Sequence, residues 1–423
     1  MWGDIRLPVE EKIMNKLLRT LTVTLGALTV LFTLSGTASA RDEKVKVLTQ
    51  NLYVGSDLFQ ILDDTKPVPL IASQIFSDVQ MTDFYSRVEV IADLIAKQRP
   101  HLIGLQEVSL LRTECPSNII APLPDLAPNA ADVFADYRQI LLDALHERDL
   151  DYEVIASIEN VDVELPAVNF PGLLPDCAEP YFDVRLTDFD ITLKRGDVEA
   201  TTVLEKRFAV NFPVPTPAGT VTFYRGFTVV DAEINGRSFR FANTHLEVDG
   251  NAFANFFQFA QAHELTQTLN ALALFPGGDK PLIVVGDFNS SPDKFYADCF
   301  LPDPVTGVFV EDGCLSAYGF MVVNGYADTW GLRDDDEWKA GFTCCQPPLL
   351  GNRKSELSRR IDHVWYRGSL TTGGGLGQLD EVKVKVTGAK KKDKTVNGLW
   401  SSDHAGVFAV LKFEEEDDDD GDD

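Results

Sequence analysis

The order of apolar and polar residues predicts a chain rich in strands with about three long helices. Residues 45–51 alternate with the period of a half-buried strand, and the apolar runs 102–107 and 282–287 each end in a carboxylate. Apolar side chains at 84, 88, 91 and 95 have the spacing of an amphipathic helix, and Pro100 follows its end.

The rest of the pattern favours one domain built on two sheets. Further helices are predicted from Phe134 to Leu145 and over the aromatic stretch from Phe253 to Phe275. Loops are predicted around Pro67 and Pro69 and at 115–133 and 166–180, and further strands at 152–165, 182–193, 200–210, 221–234, 237–246, 360–366, 382–386 and 406–413. Strands rather than linkers fill the middle of the chain, which favours a single α/β domain over two.

The two ends of the chain differ in composition from the body. Residues 1–40 have a basic start, an apolar stretch of about 14 residues and the cleavage pattern Ala38-Ser39-Ala40, which predicts an N-terminal extension with a signal peptide. The apolar stretch is shorter than the ~20 residues that span a bilayer. We therefore expect a secreted or periplasmic protein cleaved near Ala40, with one domain over 41–413 and a disordered acidic tail over 414–423.

Charge and cysteine content refine this picture. The 423 residues include 38 Lys and Arg against 65 Asp and Glu, and the net charge of −27 argues against a dedicated nucleic-acid binder. Nine of those acids lie in 414–423, whereas 351–400 has eleven basic and five acidic residues, a net of +6. Export makes the six cysteines candidates for disulfides. Proximity favours Cys115 with Cys177 and Cys299 with Cys314, leaving Cys344 and Cys345 to pair with each other or to force another connectivity.

Polar side chains with a shared chemistry follow the predicted strands. The chain has neither a Walker-type phosphate loop nor a G-x-S-x-G motif, and His263-Glu264 lacks the second histidine of a zinc-protease motif. Strand ends instead carry Asn51, Glu107, His245, Asp287, Asn289, Asp362, Asp403 and His404. Strand ends on one edge of a sheet converge, so these groups predict an oxygen-lined pocket with two histidines. Such a pocket suits Mg²⁺ or Mn²⁺ and the hydrolysis of a phosphoester.

These motifs, in this order, resemble the endonuclease/exonuclease/phosphatase superfamily, the deoxyribonuclease I-like group. The resemblance covers about residues 44–413 and is carried by Gln50-Asn51, Gln106-Glu107-Val108, Asn243-Thr244-His245-Leu246, Gly286-Asp287-Phe288-Asn289-Ser290, Arg360-Ile361-Asp362-His363 and Ser402-Asp403-His404. It implies a four-layered α/β sandwich with two central mixed β-sheets flanked by helices. The chain departs from compact members by insertions at about 54–80 and 112–180, which in many members lie beside the mouth of the active site.

The resemblance also implies roles for individual residues. Asn51, Glu107 and Asp403 are the expected ligands of Mg²⁺ or Mn²⁺. Asp287 and Asn289 are expected to position the nucleophilic water and to hold the scissile phosphate. His404, partnered by Asp362, is expected to act as general base or as a phosphate ligand, and the choice of base between His404 and Asp287 stays open. His245 is expected to protonate the leaving oxygen or to stabilise the transition state.

The predicted function is an exported, divalent-metal-dependent phosphoester hydrolase, in the first place a phosphodiesterase that uses metal-activated water. Its phosphoester substrate stays open among nucleic acid, a phospholipid head group and a small phosphate ester. A sphingomyelinase or phospholipase C-type activity, a secreted nuclease and a non-catalytic binding protein on the same fold are the alternatives. No stable protein partner is predicted, and a transient membrane contact stays open.

Overall fold

A computed structural model of the chain describes residues 44–170, 172–216, 219–302, 308–333, 340–371 and 375–414. The predicted signal peptide, and the predicted acidic tail beyond Glu414, lie outside these residues. Five α-helices are described: α1 (Val68–Met81), α2 (Phe84–Gln98), α3 (Tyr137–His146), α4 (Ala252–Ala273) and α5 (Ala317–Val323). Short 3-10 helices cover Leu58–Leu62, Thr329–Leu332 and Lys391–Asp393.

The strands fall into two main mixed sheets and two hairpins. In chain order they are β1 (Lys44–Asn51), β2 (Leu102–Gln106), β3 (Leu110–Glu114), β4 (Asp132–Asp136), β5 (Tyr152–Val168), β6 (Tyr181–Arg195), β7 (Glu199–Arg207), β8 (Phe212–Thr216), β9 (Gly219–Phe223), β10 (Gly226–Ile234), β11 (Arg237–His245), β12 (Leu282–Asp287), β13 (Tyr296–Pro302), β14 (Phe309–Leu315), β15 (Ala327–Asp328), β16 (Asp362–Arg367), β17 (Leu379–Thr387) and β18 (Gly406–Phe413). The first sheet has the order β17-β18-β1-β2-β6-β3-β4, with β5 paired to β6, and the second has β15-β16-β12-β11-β10-β7. The hairpins are β8–β9 and β13–β14.

Strand direction brings the motif residues to one edge of each sheet. Strands β1 and β2 are parallel, so Asn51 and Gln106 lie side by side where both strands end. In the second sheet β11 and β12 are also parallel and place His245 beside Asp287. Strands β16 and β18 run antiparallel to their neighbours and therefore begin at the same edge, with Asp362 opposite Asp287.

Three apolar cores explain why the elements stack in layers. The central core joins side chains of both sheets, such as Val47 and Ala409 from the first and Phe241 and Val285 from the second. A second core packs the first sheet against α2 and α3, and a third packs the second sheet against α4 and α5. Burial of apolar surface on both faces of both sheets gives the expected four layers, helices outside and sheets inside.

Several predicted elements differ from the structure. The predicted loop around Pro67 and Pro69 contains α1, because Pro67 caps that helix and Pro69 lies in its first turn, where the missing N–H costs no hydrogen bond. Phe134 belongs to β4, and the helix that follows starts at Tyr137. The single strand predicted for 221–234 is the end of β9 followed by β10, and β5 extends to Val168, into the predicted loop at 166–180.

The cysteines pair as proximity favours. Cys115 is bonded to Cys177, Cys299 to Cys314, and the adjacent Cys344 and Cys345 to each other. Three disulfides are consistent with folding in an oxidising compartment. None of the described helices combines the length and apolar composition that crossing a bilayer requires.

Candidate active site

The predicted site residues meet around one cavity of about 350 Å³ at the shared edge of the two sheets. Six of the eight line the cavity: Glu107, His245, Asp287, Asn289, Asp403 and His404. Asn51 and Asp362 are buried directly behind this wall and contact it through hydrogen bonds. Below the site, Asn243 of the second sheet bonds to Gln106 of the first (2.6 Å), which fixes the two edges relative to each other.

Glu107 is the carboxylate nearest to the end of β2. Its Oε2 accepts a hydrogen bond from the N–H of Val54 (3.0 Å), and its Oε1 accepts one from Asn51 Nδ2 (2.9 Å). The same amide group donates to Asp287 Oδ2 (3.2 Å), while Asn51 Oδ1 accepts from the N–H of Tyr53 (2.9 Å). In this arrangement Asn51 holds two carboxylates in place, and its oxygen faces the backbone rather than the cavity.

The backbone of the site is unusual at three positions. Tyr53, Glu107 and Asn289 have φ angles of 62°, 55° and 49°, in the left-handed region where a side chain other than Gly or Asn costs on the order of 1 kcal/mol. Such positions cluster at functional sites because the surrounding structure must hold them. Gly286 has φ 149°, and a Cβ there would collide with the carbonyl oxygen of Thr244, so the turn that presents Asp287 requires glycine.

Asp287 lies between the two histidines. Its Oδ1 accepts from the N–H of Asn289 (2.8 Å), and its Oδ2 is 3.5 Å from His245 Nε2 and 3.7 Å from His404 Nε2. Burial, reinforced by the nearby Asp362 carboxylate, raises the pKa of Asp287 to about 7. This carboxylate can therefore exchange a proton near neutral pH.

His404 is held by Asp362 through a 2.8 Å bond from Nδ1 to Oδ2. Burial opposes the charge of the imidazole, but Asp362, Asp403 and Asp287 outweigh it and raise the pKa of His404 well above its ordinary value. Asp362 makes no ion pair with Arg360, which instead contacts Asp328 (2.5 Å). The charged form of His404 is therefore favoured, and its Nε2 lies 3.7 Å from Asp287 Oδ2.

His245 is in the opposite state. Its Nδ1 lies 2.9 Å from Arg225 Nη1, and since a guanidinium only donates, this ring nitrogen must accept and the proton sits on Nε2. Burial, together with the Arg225 and His404 charges, lowers the pKa of His245 well below its usual range. Asn289 is adjacent, with Nδ2 3.3 Å from His245 Nε2 and bonded to the carbonyl of Leu246 (3.0 Å).

Sequence reasoning missed the acidic group behind His245. Asp190 Oδ1 is 3.9 Å from His245 Nδ1, and neither of its carboxylate oxygens has a hydrogen-bond partner. Asp188 accepts from Asn160 Nδ2 (3.2 Å) and Ser109 Oγ (3.4 Å), and burial with the Glu107 charge raises its pKa to about 7. Both aspartates lie within β6, and nothing in their local sequence distinguishes them from other strand residues.

The loop that carries Asp403 is tied to the first sheet. Ser402 Oγ donates to the carbonyl of Asn51 (2.7 Å) and accepts from the N–H of His404 (3.1 Å). Burial raises the pKa of Asp403 to about 7, against the opposing effect of His404.

The mouth of the cavity adds groups that the sequence did not assign to the site. The Cys344–Cys345 disulfide lines it, within reach of His404. Arg359 also lines it and contacts Asp249 (2.8 Å). Among the described basic residues of 351–400, Arg359 alone reaches the cavity wall, so the positive stretch does not build a positive site.

The donor set fits a hard divalent cation. Ligand atoms of Asp287, Asp362 and His404 lie within 4.8 Å of one another, and buried Asp362 Oδ1 has no hydrogen-bond partner. Since Asp362 and His404 already engage each other, the carboxylates of Glu107, Asp287 and Asp403 are the more available oxygens. Carboxylate oxygens without thiolate ligands suit Mg²⁺ or Mn²⁺.

Part of the chain matches a known family, and several solved structures are similar to it. Residues 200–404, a little under half of the chain, match the Endonuclease/Exonuclease/phosphatase family. A search of curated proteins found no match. Similar solved structures include a family protein from Leptotrichia buccalis (16% identity, TM-score 0.46, covering 88% of this chain and 100% of that chain). They also include a family protein (13%, 0.47, 88% and 98%) and a mannosyl-6-phosphatase (14%, 0.47, 87% and 100%), both from Bacteroides thetaiotaomicron.

The fold and the site define a phosphoester hydrolase framework. The matched segment, residues 200–404, contains both histidines, Asp287 and Asp403, and is similar to the Endonuclease/Exonuclease/phosphatase family.

Proposed function

We propose that the protein is an exported, divalent-metal-dependent phosphodiesterase. The observation that carries the proposal is the position of Asp287 between two histidines of opposite protonation state, next to Glu107. A base, two hydrogen-bond donors and a cation-binding carboxylate are the groups that attack of water on a phosphodiester requires.

Asp287 is the proposed general base. Its pKa of about 7 allows it to take the proton of the attacking water near neutral pH. The raised pKa of His404 makes it a poor base and a good donor, which favours Asp287 in the choice that the sequence left open.

The histidines and Asn289 are proposed to hold the phosphoryl group. His404, charged and oriented by Asp362, donates from Nε2 to one phosphoryl oxygen. Neutral His245 donates from Nε2, because Arg225 occupies its other nitrogen. Donors fixed in this way stabilise the negative charge that develops in the transition state without reorganising.

Glu107 and Asp403 are proposed to hold Mg²⁺ or Mn²⁺, with Asn51 positioning Glu107 through its amide group. When bound, the cation would neutralise charge on the phosphoryl oxygens. Export is proposed from the predicted signal peptide and is consistent with the three disulfides.

The test is hydrolysis of bis-p-nitrophenyl phosphate by the mature chain with Mg²⁺, with Mn²⁺ and with EDTA. We expect metal-dependent turnover that EDTA abolishes. His404→Ala should lower kcat by at least about 10²-fold, because it removes a charged donor to the phosphate.

His146→Ala is the matched control, because His146 is exposed on α3 and should leave kcat unchanged. Circular dichroism of each variant would show that it is folded. Activity that survives EDTA, or a folded wild type that cleaves neither this compound nor other phosphodiesters, would refute the proposal and support a binding protein.

A further inference from the structure

A second cavity, of about 70 Å³, adjoins the catalytic cavity, and every residue that lines it is apolar. Val54, Leu58, Ile61 and Phe223 line both cavities. The two spaces are therefore neighbours that share part of their apolar lining; the catalytic residues line the first, and the second is lined by apolar side chains.

Nine of the thirteen residues that line the apolar cavity belong to segments 54–80 and 112–180, where the chain is expected to depart from compact relatives. Its roof is the 3-10 helix Leu58–Leu62 together with Ala72, Phe76 and Val79 of α1. Its floor is formed by apolar side chains of β3, β5 and β6, namely Leu111, Val163, Leu165, Val184 and Leu186. The cavity is thus placed where loops beside the site set specificity.

The apolar cavity is partly open, and its lining side chains present an apolar surface to whatever enters it. About 70 Å³ is several times the ~10–15 Å³ that one water needs on this measure, and none of the lining side chains offers a water a hydrogen bond. Such a cavity favours an apolar occupant over water.

The mouth of the catalytic cavity continues the apolar surface. Phe59 and Leu62 line it and are 55% and 42% exposed. The two arginines of the wall, Arg225 and Arg359, each have acidic neighbours. Tight binding of a nucleic acid needs several basic side chains that are free to contact phosphates. The surroundings of this cavity therefore favour an amphiphilic substrate over a polyanion.

On the basis of the proposed function, we propose that the substrate is an amphiphilic phosphodiester whose alkyl chain occupies the apolar cavity while its phosphate lies among Asp287, His245 and His404. The catalytic groups act on the phosphate, and Val54, Leu58, Ile61 and Phe223 select the chain.

The experiment is calorimetric binding of n-alkylphosphonates with one, four and eight carbons, in Mg²⁺ and below their micelle concentrations. The probes do not react, so binding is measured independently of turnover. We expect Kd to fall by up to about fourfold for each added methylene, from about 0.8 kcal/mol per buried CH₂, until the cavity is full. A Kd independent of chain length would overturn the proposal.

Ala72→Leu fills the cavity from α1 and should raise the Kd of octylphosphonate at least tenfold, while the Kd of methylphosphonate, which has no chain to place there, changes less than twofold. Ala271→Leu, the same change at an exposed helical position, should alter none of these. Chain-length dependence that persists in a folded Ala72→Leu would also overturn the proposal. If Ala72→Leu does not fold, the chain-length series with the wild type alone decides.

A wild type that binds long chains tightly but cleaves no phosphodiester would refute the proposed function and leave the assignment of the apolar cavity unchanged.

Discussion

At the scale of single residues, the site depends on neighbours that set proton positions. For His404 the Asp362 carboxylate outweighs burial and raises the pKa, whereas for His245 burial and the Arg225 charge both lower the pKa. Asp362 could be predicted from the sequence because it belongs to a motif at a strand end. Arg225 could not, because it precedes β10 in a loop and meets His245 only through tertiary pairing. Asp188 and Asp190 of β6 could not be predicted either, because they reach the site only through the tertiary structure and belong to no motif.

Asp188 predicts a pH-dependent stability. Burial and Glu107 raise its pKa from 3.8 to about 7, so between these values the folded protein holds a proton that the unfolded chain has released. The free energy of unfolding must therefore fall as pH rises through that window. We expect Asp188→Asn to gain about 3 kcal/mol relative to wild type between pH 5 and pH 8.

The measurement is urea denaturation of both proteins in EDTA at several pH values. Asp132→Asn, the same change at an exposed position, is the control and should track wild type. Parallel curves for Asp188→Asn and wild type would show that Asp188 is ionised throughout.

At the scale of elements, Arg87 of α2 binds the loops next to the active site through hydrogen bonds. Its buried guanidinium donates to the carbonyls of Leu52 (2.6 Å), Tyr53 (3.0 Å), Thr82 (2.9 Å) and Ser401 (3.1 Å). One side chain thereby joins the ends of α1 and β1 to the loop that precedes His404.

Arg87→Met should therefore lower the free energy of unfolding by at least about 3 kcal/mol, because several buried carbonyls lose their donor at about 1–3 kcal/mol each. Urea denaturation measures the loss, with the exposed Arg138→Met as control. A loss below about 1 kcal/mol would mean that water replaces the guanidinium.

Helices and strands with a clear hydrophobic period could be predicted from the sequence. An element whose residues also fit a loop could not. Helix α2 follows directly from its apolar spacing, and β1, β2 and β12 follow from their runs. Helix α1 was missed because Pro67 and Pro69 indicate a loop when considered alone but are compatible with a helix start. The roof of the apolar cavity was missed with it.

At the scale of the whole molecule, part of the negative charge is concentrated at the catalytic cavity. A cation bound there would reduce the repulsion between the carboxylates. The chain carries a net charge of −27, and Glu107, Asp287 and Asp403 face one cavity. Mutual repulsion of these carboxylates destabilises the metal-free fold. The net charge indicates an acidic chain, but it could not locate the carboxylates that line the cavity.

Mg²⁺ should therefore raise the melting temperature beyond the effect of ionic strength. At 100 times its Kd the stabilisation would be about 2.7 kcal/mol. Differential scanning calorimetry in MgCl₂, compared with NaCl of equal ionic strength, measures it. Glu107→Gln should lose most of the Mg²⁺-specific increment and the exposed Glu153→Gln should keep it. Equal shifts in both salts would argue for screening alone.

The apolar cavity has a consequence for how such proteins diversify. Of the residues that line it, all but Phe223 precede residue 200, whereas the family match begins there and includes both histidines. The residues proposed to select the alkyl chain therefore lie mainly in the first half of the chain, whereas the residues proposed to hold the phosphoryl group lie in the second, and only the metal ligand Glu107 comes from the first. Exchanging residues 58–79, which form the roof of the cavity, between relatives is expected to change which alkyl chain of the substrate is bound. The catalytic reaction should stay the same.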